Sequence, residues 1–175
     1  MVRLSRLAIA FVCALGAVAC GNPVQDNLRE SLGDEDPNVP RGPLHRPGQP
    51  CLVCHSSAVG AEPLFSVAGT IFQVSDSTKP ARDVIVQIVD SHGRKHSVAT
   101  NCAGNFFIQQ QDFQPAWPIK PQLSYGNLPL LKHNTAIFRE GSCAGCHTDP
   151  VTATSPGHVY IDTNSVVTFP SSGCP

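Results

Sequence analysis

Charge and aromatic side chains are scarce in this chain. Only 14% of its 175 residues are Asp, Glu, Lys or Arg, and the formal net charge is -1. The broad basic surface that a phosphate backbone demands is therefore missing, and nucleic-acid binding is set aside. Aromatic residues reach 6%, with Trp117 the single tryptophan, and Met1 is the single methionine. The longest apolar run, Leu7 to Ala19, has 13 residues, short of the roughly 20 that span a bilayer. No Gly-x-Ser-x-Gly, phosphate loop or His-Glu-x-x-His occurs, so hydrolase and nucleotide-binding readings have no foothold.

What is present is cysteine, histidine and proline. Arg3 and Arg6 precede the apolar run, which ends in small residues, and residues 1–19 read as an export signal. Ala17-Val18-Ala19 fits ordinary signal peptidase. The same residues with Cys20 resemble a bacterial lipoprotein box, although Ala17 stands where that family usually has Leu. Cleavage after residue 19 discards Cys13 and leaves seven of the eight cysteines, an odd number for an oxidising compartment, which favours Cys20 as a lipidated residue. Gly21, where inner-membrane retention would usually have Asp, resembles outer-membrane sorting, with the periplasmic or exterior face left open.

Residues 20–50 read as a lipid-anchored tether. Six prolines fall between 21 and 50, and Asp34-Glu35-Asp36 is a solvated charge run, so the segment is expected to be extended and poorly packed. Residues 51–175 form the domain. Val84, Val86 and Ile88 alternate with Ile85 and Val89, both faces reading as buried, and Asp90 to Gly93 supplies a turn. Further strand-length runs are 65–74, 96–100, 106–110, 122–125, 135–138 and 158–169. The fold class expected is mainly β, a small antiparallel β-sandwich with the cofactor-binding segments at its N- and C-terminal ends. Gly69-Thr70-Ile71-Phe72, Val84 to Asp90, Gly93 and Thr100 to Phe106 resemble the transthyretin-like or carboxypeptidase-regulatory-like β-sandwich family over about residues 65 to 110. That likeness implies a scaffold or interaction module. Cys102 is foreign to its turn, which favours a local disulfide.

Two stretches carry chemistry: Cys51-Leu52-Val53-Cys54-His55 and Cys143-Ala144-Gly145-Cys146-His147. Both are C-x-x-C-H, the attachment sequence of c-type haem. Two thiols at this spacing reach the two vinyl groups on one porphyrin edge, and the following histidine ligates iron from one face. A chance match is expected about 0.015 times in a chain of this composition, so two accidents are not credible. A four-cysteine zinc site or a thioredoxin-like dithiol would use the cysteines but needs neither His55 nor His147. At these motifs the chain resembles multihaem c-type cytochromes. Four cysteines on two covalent haem c groups and lipid on Cys20 leave Cys102 and Cys174 as one pair.

Methionine ligation is excluded, because Met1 leaves with the signal. The second axial ligands are sought among five histidines. His133, ten residues before Cys143, comes first, and His45, six before Cys51, is the other choice. His158 is the replacement, while His92 and His96 flank a turn and read as solvated. Bis-histidine ligation would fill both iron positions and give low-potential electron transfer. Two alternatives stay open: a haem enzyme or sensor with one open position for peroxide or a nitrogen oxide, and an interaction module of a larger cell-surface redox assembly. The expected partners are other redox proteins of the cell envelope and the membrane itself. With few aromatics, the haems would be major core material, one completing each end of the sandwich.

Overall fold

A computed structural model of the chain describes residues 22–39, 41–74, 78–162, 168, 169 and 174. The export signal at 1–19 and the lipidation candidate Cys20 lie outside the described residues. Among the described residues, no helix is long and apolar enough to cross a membrane. The chain divides after Gly33 into two compact units.

The first unit corrects the expectation of an extended tether, because it contains helix α1 (Pro23–Ser31). Asn22 caps it by accepting a hydrogen bond from the Gln25 amide at 3.3 Å, and Pro23 suits the first helical position, where its missing N–H has no partner to lose. Asp26 and Arg29 pair at 2.9 Å on its surface.

The second unit is β-rich, as expected. Strands β1 (Phe65–Thr70) and β4 (Asn105–Gln109) form one antiparallel pair. β2 (Ile85–Val89), β3 (Lys95–Ala99), β5 (Lys120–Ser124) and β6 (Leu131–Lys132) form a second sheet in the order β3-β2-β5-β6. Val67 and Phe106 from the first sheet share one core with Val86, Ile88 and Leu123 from the second, which makes the two sheets layers of one hydrophobic interior. β2 is buried on one face only: Val86 and Ile88 are buried, whereas Ile85 is 41% exposed and Val89 half-buried. Alternation therefore marks a half-buried strand here, and the expectation of two buried faces is corrected.

Two expected strands shrink to single bridges. Residues 135–138 contribute one bridge, Ile119 to Ile137, because β6 already pairs with Gln122 and Leu123 of β5. Residues 158–169 contribute Phe72 to Tyr160, and 163–167 lie outside the described residues. β6 itself carries too short a signal to stand out in the sequence.

Residues 43–48 also depart from the tether reading. Prolines lack donors but keep carbonyls, and the sandwich supplies partners for them. Asn101 Nδ2 donates to Pro43 O at 2.7 Å, and Asn105 Nδ2 donates to His45 O at 3.0 Å. Gly48 N donates to Thr70 Oγ1 at 2.7 Å. Arg46 adopts φ 50°, a left-handed conformation that costs a non-glycine residue about 1 kcal/mol. Its guanidinium donates to Gln49 Oε1 at 2.7 Å and lies 3.6 Å from Glu35. Cys102 and Cys174, the pair left by cysteine counting, form a disulfide.

Candidate functional site

The two Cys-x-x-Cys-His stretches fold alike. Each opens on an extended residue, Pro50 or Ser142, and makes one 3-10 turn, Cys51–Val53 or Cys143–Gly145. The first cysteine carbonyl then accepts from the fourth residue and from the histidine: Cys54 N at 3.2 Å and His55 N at 2.9 Å, Cys146 N at 3.2 Å and His147 N at 2.8 Å. One helical turn thus brings both thiols and the start of the imidazole side chain to the same side of the chain.

Four imidazoles then fall into two pairs. The ring centroids of His45 and His55 are 5.8 Å apart, and those of His133 and His147 are 6.1 Å apart. Two imidazoles gripping one metal from opposite sides through bonds of about 2 Å hold their centroids roughly 6 Å apart. In all four rings Nδ1 is engaged by a backbone carbonyl: His55 with Pro63 at 2.9 Å, His147 with Gly157 at 2.9 Å, His133 with Thr135 at 2.7 Å, and His45 with Gly42. This bond fixes the tautomer with the proton on Nδ1 and leaves Nε2 as the nitrogen with a lone pair to offer. Burial, partly countered by the Gly157 carbonyl and reinforced by His133, holds His147 below the usual histidine range, so its imidazole is neutral near pH 7, the form that binds metal.

A cavity of about 570 Å³ lies beside the second turn, with Cys143, Cys146, His147 and His133 in its wall and Val86, Phe106 and Leu123 behind them. That size is in the range of cofactor sites. Ser142 also borders it, 3% exposed, and its Oγ has no hydrogen-bond partner among the described residues. Such an orphan in a cavity wall is ordinarily satisfied by what fills the cavity. Among the described residues no group of three or more His, Cys, Asp or Glu could hold a metal ion, so the four cysteines do not assemble a thiolate cage. Burial pushes the Cys51 thiol to about 11 and the Cys143 thiol to about 12, with the nearby Cys51 next in effect on Cys143. A dithiol redox pair needs a thiol shifted the other way.

Both turns pack on β1, which corrects the picture of one at each end of the sandwich. The His55 carbonyl accepts from Phe65 N at 2.9 Å, and the Phe65 ring stacks on His55 at 4.6 Å. Ala68 N donates to Gly141 O at 2.9 Å, and Ala68 bridges Ser142. A Cβ on Gly69 would lie 2.7 Å from Cys143 Cβ, and one on Gly141 would lie 2.9 Å from Leu52 Cδ2. The reason is that β1 pairs with β4 along one edge only, so its other edge is open to the second turn.

The remaining histidines behave differently. His158 stacks on Phe72 at 4.3 Å and borders the cavity. His96 stacks on Phe113 at 5.3 Å, and the backbone of His92 donates to Asp90 Oδ1 at 2.9 Å in the β2–β3 turn. Sequence reasoning missed Gly69, Gly141 and Ser142, although Gly141-Ser142 directly precedes Cys143. It also missed Asn101, Asn105 and Thr70, which hold the segment carrying His45. Compared with known proteins, the chain matches no family model, no curated protein and no solved structure, so the likenesses noted in the sequence rest on their own residues.

Proposed function

We propose that the chain carries two covalently attached haem groups and passes electrons in the cell envelope. The observation that carries this reading is the coincidence of two complete Cys-x-x-Cys-His turns with two imidazole pairs whose centroids lie 5.8 and 6.1 Å apart, every Nδ1 anchored to a carbonyl. Cys51 and Cys54 would hold one group, with His55 and His45 on its two faces. Cys143 and Cys146 would hold the other, with His147 and His133. Haem supplies reversible one-electron exchange when bound. The chain's own part would be to present four imidazoles whose Nδ1 atoms are held by backbone carbonyls, and to keep water from the second site with the apolar wall of its cavity. The orphaned Ser142 Oγ and the cavity of about 570 Å³ are consistent with a bulky occupant.

The cavity beside the second turn gives the enzyme or sensor reading a place at that site. Both His133 and His158 border that cavity, so a small ligand could enter if neither closes the position. The mass of the purified protein tests the first proposal: two haems per chain are expected, and none would end it. Carbon monoxide added to the reduced protein separates the two readings, since two six-coordinate haems resist it. Export and lipid on Cys20 belong to the same proposal, checked by a fatty-acyl mass increment that Cys20→Ala removes.

A further inference from the structure

We propose that residues 43–48 are a latch that Asn105 holds shut, and that releasing it opens a position for a small iron ligand at the first site alone. The inference rests on the haem reading above.

His45 sits in an irregular segment between Gly42 and Gly48, with no strand or helix to hold it. Its place opposite His55 comes from two carbonyls and one amide. Asn105 Nδ2 donates to Pro43 O at 3.2 Å and to His45 O at 3.0 Å, while Asn101 Nδ2 donates to Pro43 O at 2.7 Å. At the far end, Gly48 N donates to Thr70 Oγ1, which in turn donates to Asn105 Oδ1, both at 2.7 Å. Thr70 thereby orients the Asn105 amide, since an oxygen that accepts from the hydroxyl leaves the NH₂ facing the latch. Asn105 is 6% exposed and Thr70 4%. Polar side chains buried to this degree and spent on holding a loop form a built network, costly to break at any member.

The left-handed Arg46 beside His45 gives the latch a reason to move when freed, because that backbone is held against its own preference. Among the described residues the second site has no counterpart. His133 N donates to Pro121 O at 3.0 Å as a continuation of the β5–β6 pairing, so its histidine is held by a sheet. Asn105 and Thr70 are therefore positioning residues for one axial ligand of two. The ligand class is a small neutral diatomic or small anion that binds iron end-on.

The experiment uses the full-length haem-loaded protein, reduced, with carbon monoxide as probe and haem mass recorded for every variant. The unaltered chain is expected to resist, while Asn105→Ala binds carbon monoxide at one haem of two, giving half the full Soret change. Thr70→Val is expected to act likewise and Thr70→Ser to stay closed, which a general loss of packing would not reproduce. His45→Ala should open the same single haem, with nothing added by Asn105→Ala on top. The proposal is overturned if Asn105→Ala and Thr70→Val both stay closed, if both haems open together, or if the unaltered chain already binds. Chains with two haems that stay closed after His45→Ala would remove His45 as the ligand, whereas chains without haem would remove the underlying reading.

Discussion

The two Cys-x-x-Cys-His turns share a backbone, hydrogen bond for hydrogen bond, yet they sit in different surroundings. The first is a clamp: His55 rests on a Phe65–Phe107 stack with centroids 4.6 and 4.9 Å apart, and the proline-rich segment brings His45 across from it. The second is a hollow, bordered by strands of both sheets and by residues between Leu131 and Tyr160. Five residues fix one half of such a site. Tertiary structure decides whether the other half is a strap or a pocket.

The largest expected effect sharpens that contrast. Under the haem proposal, replacing Cys143 and Cys146 by Ser should leave the cavity without its proposed occupant and cost on the order of 5 kcal/mol, comparable with the whole stability of a small domain. The Cys51→Ser/Cys54→Ser chain should stay folded with one haem. Urea denaturation of both chains decides, and equal losses would erase the distinction between clamp and hollow. Next in size is the Cys102–Cys174 bridge, which closes a separation of 72 residues and is worth roughly 4 kcal/mol by the chain-entropy argument. It lies in the 101–105 turn whose asparagines hold the latch, so Cys102→Ser/Cys174→Ser should perturb the spectrum of the first haem before the second.

Gly69→Ala reverses the bias. Its Cβ would lie 2.7 Å from Cys143 Cβ and 2.8 Å from Sγ, an overpacking cost of about 1–3 kcal/mol. The expected product carries haem at the first motif and a reduced fraction at the second, read by mass after proteolysis. The smallest effect is a control remote from both motifs. Burial alone would raise the Asp90 carboxyl, but hydrogen bonds from Ala116, Arg94 and His92 outweigh it and hold the group at about 2, below its ordinary 3.8. A folded value below the unfolded one stabilises the fold above about pH 4, and that contribution is lost as pH falls through 2. Asp90→Asn should flatten the acid limb of stability between these values while leaving both haem spectra alone.

Much of this was legible in the residues. The alternation at 84–88 announces β2, the C-x-x-C-H spacing announces both turns, and cysteine counting leads to Cys102 with Cys174. Burial of one face of β2 was not legible, because Ile85 and Val89 are as apolar as their buried neighbours and only the packing of the first sheet against the Val86 and Ile88 face distinguishes them. Nor was the placement of both turns on β1, since Ala68 and Gly141 are 73 positions apart and meet through backbone groups that carry no side-chain signature. His45 and His133 were named by proximity in sequence. Their opposition to His55 and His147 depends on Asn105 and β6, which no local pattern marks.

The Ala68–Gly141 hydrogen bond also bears on how the chain reaches its folded state. β1 is an apolar strand with one edge given to β4, and residues 141–142 reach its other edge. Until synthesis has delivered those residues, that edge offers unpaired amides to any neighbouring strand. The second motif therefore arrives with the segment that caps β1, and a chain truncated before Gly141 would lack both its second pair of thiols and its protection against edge-to-edge aggregation.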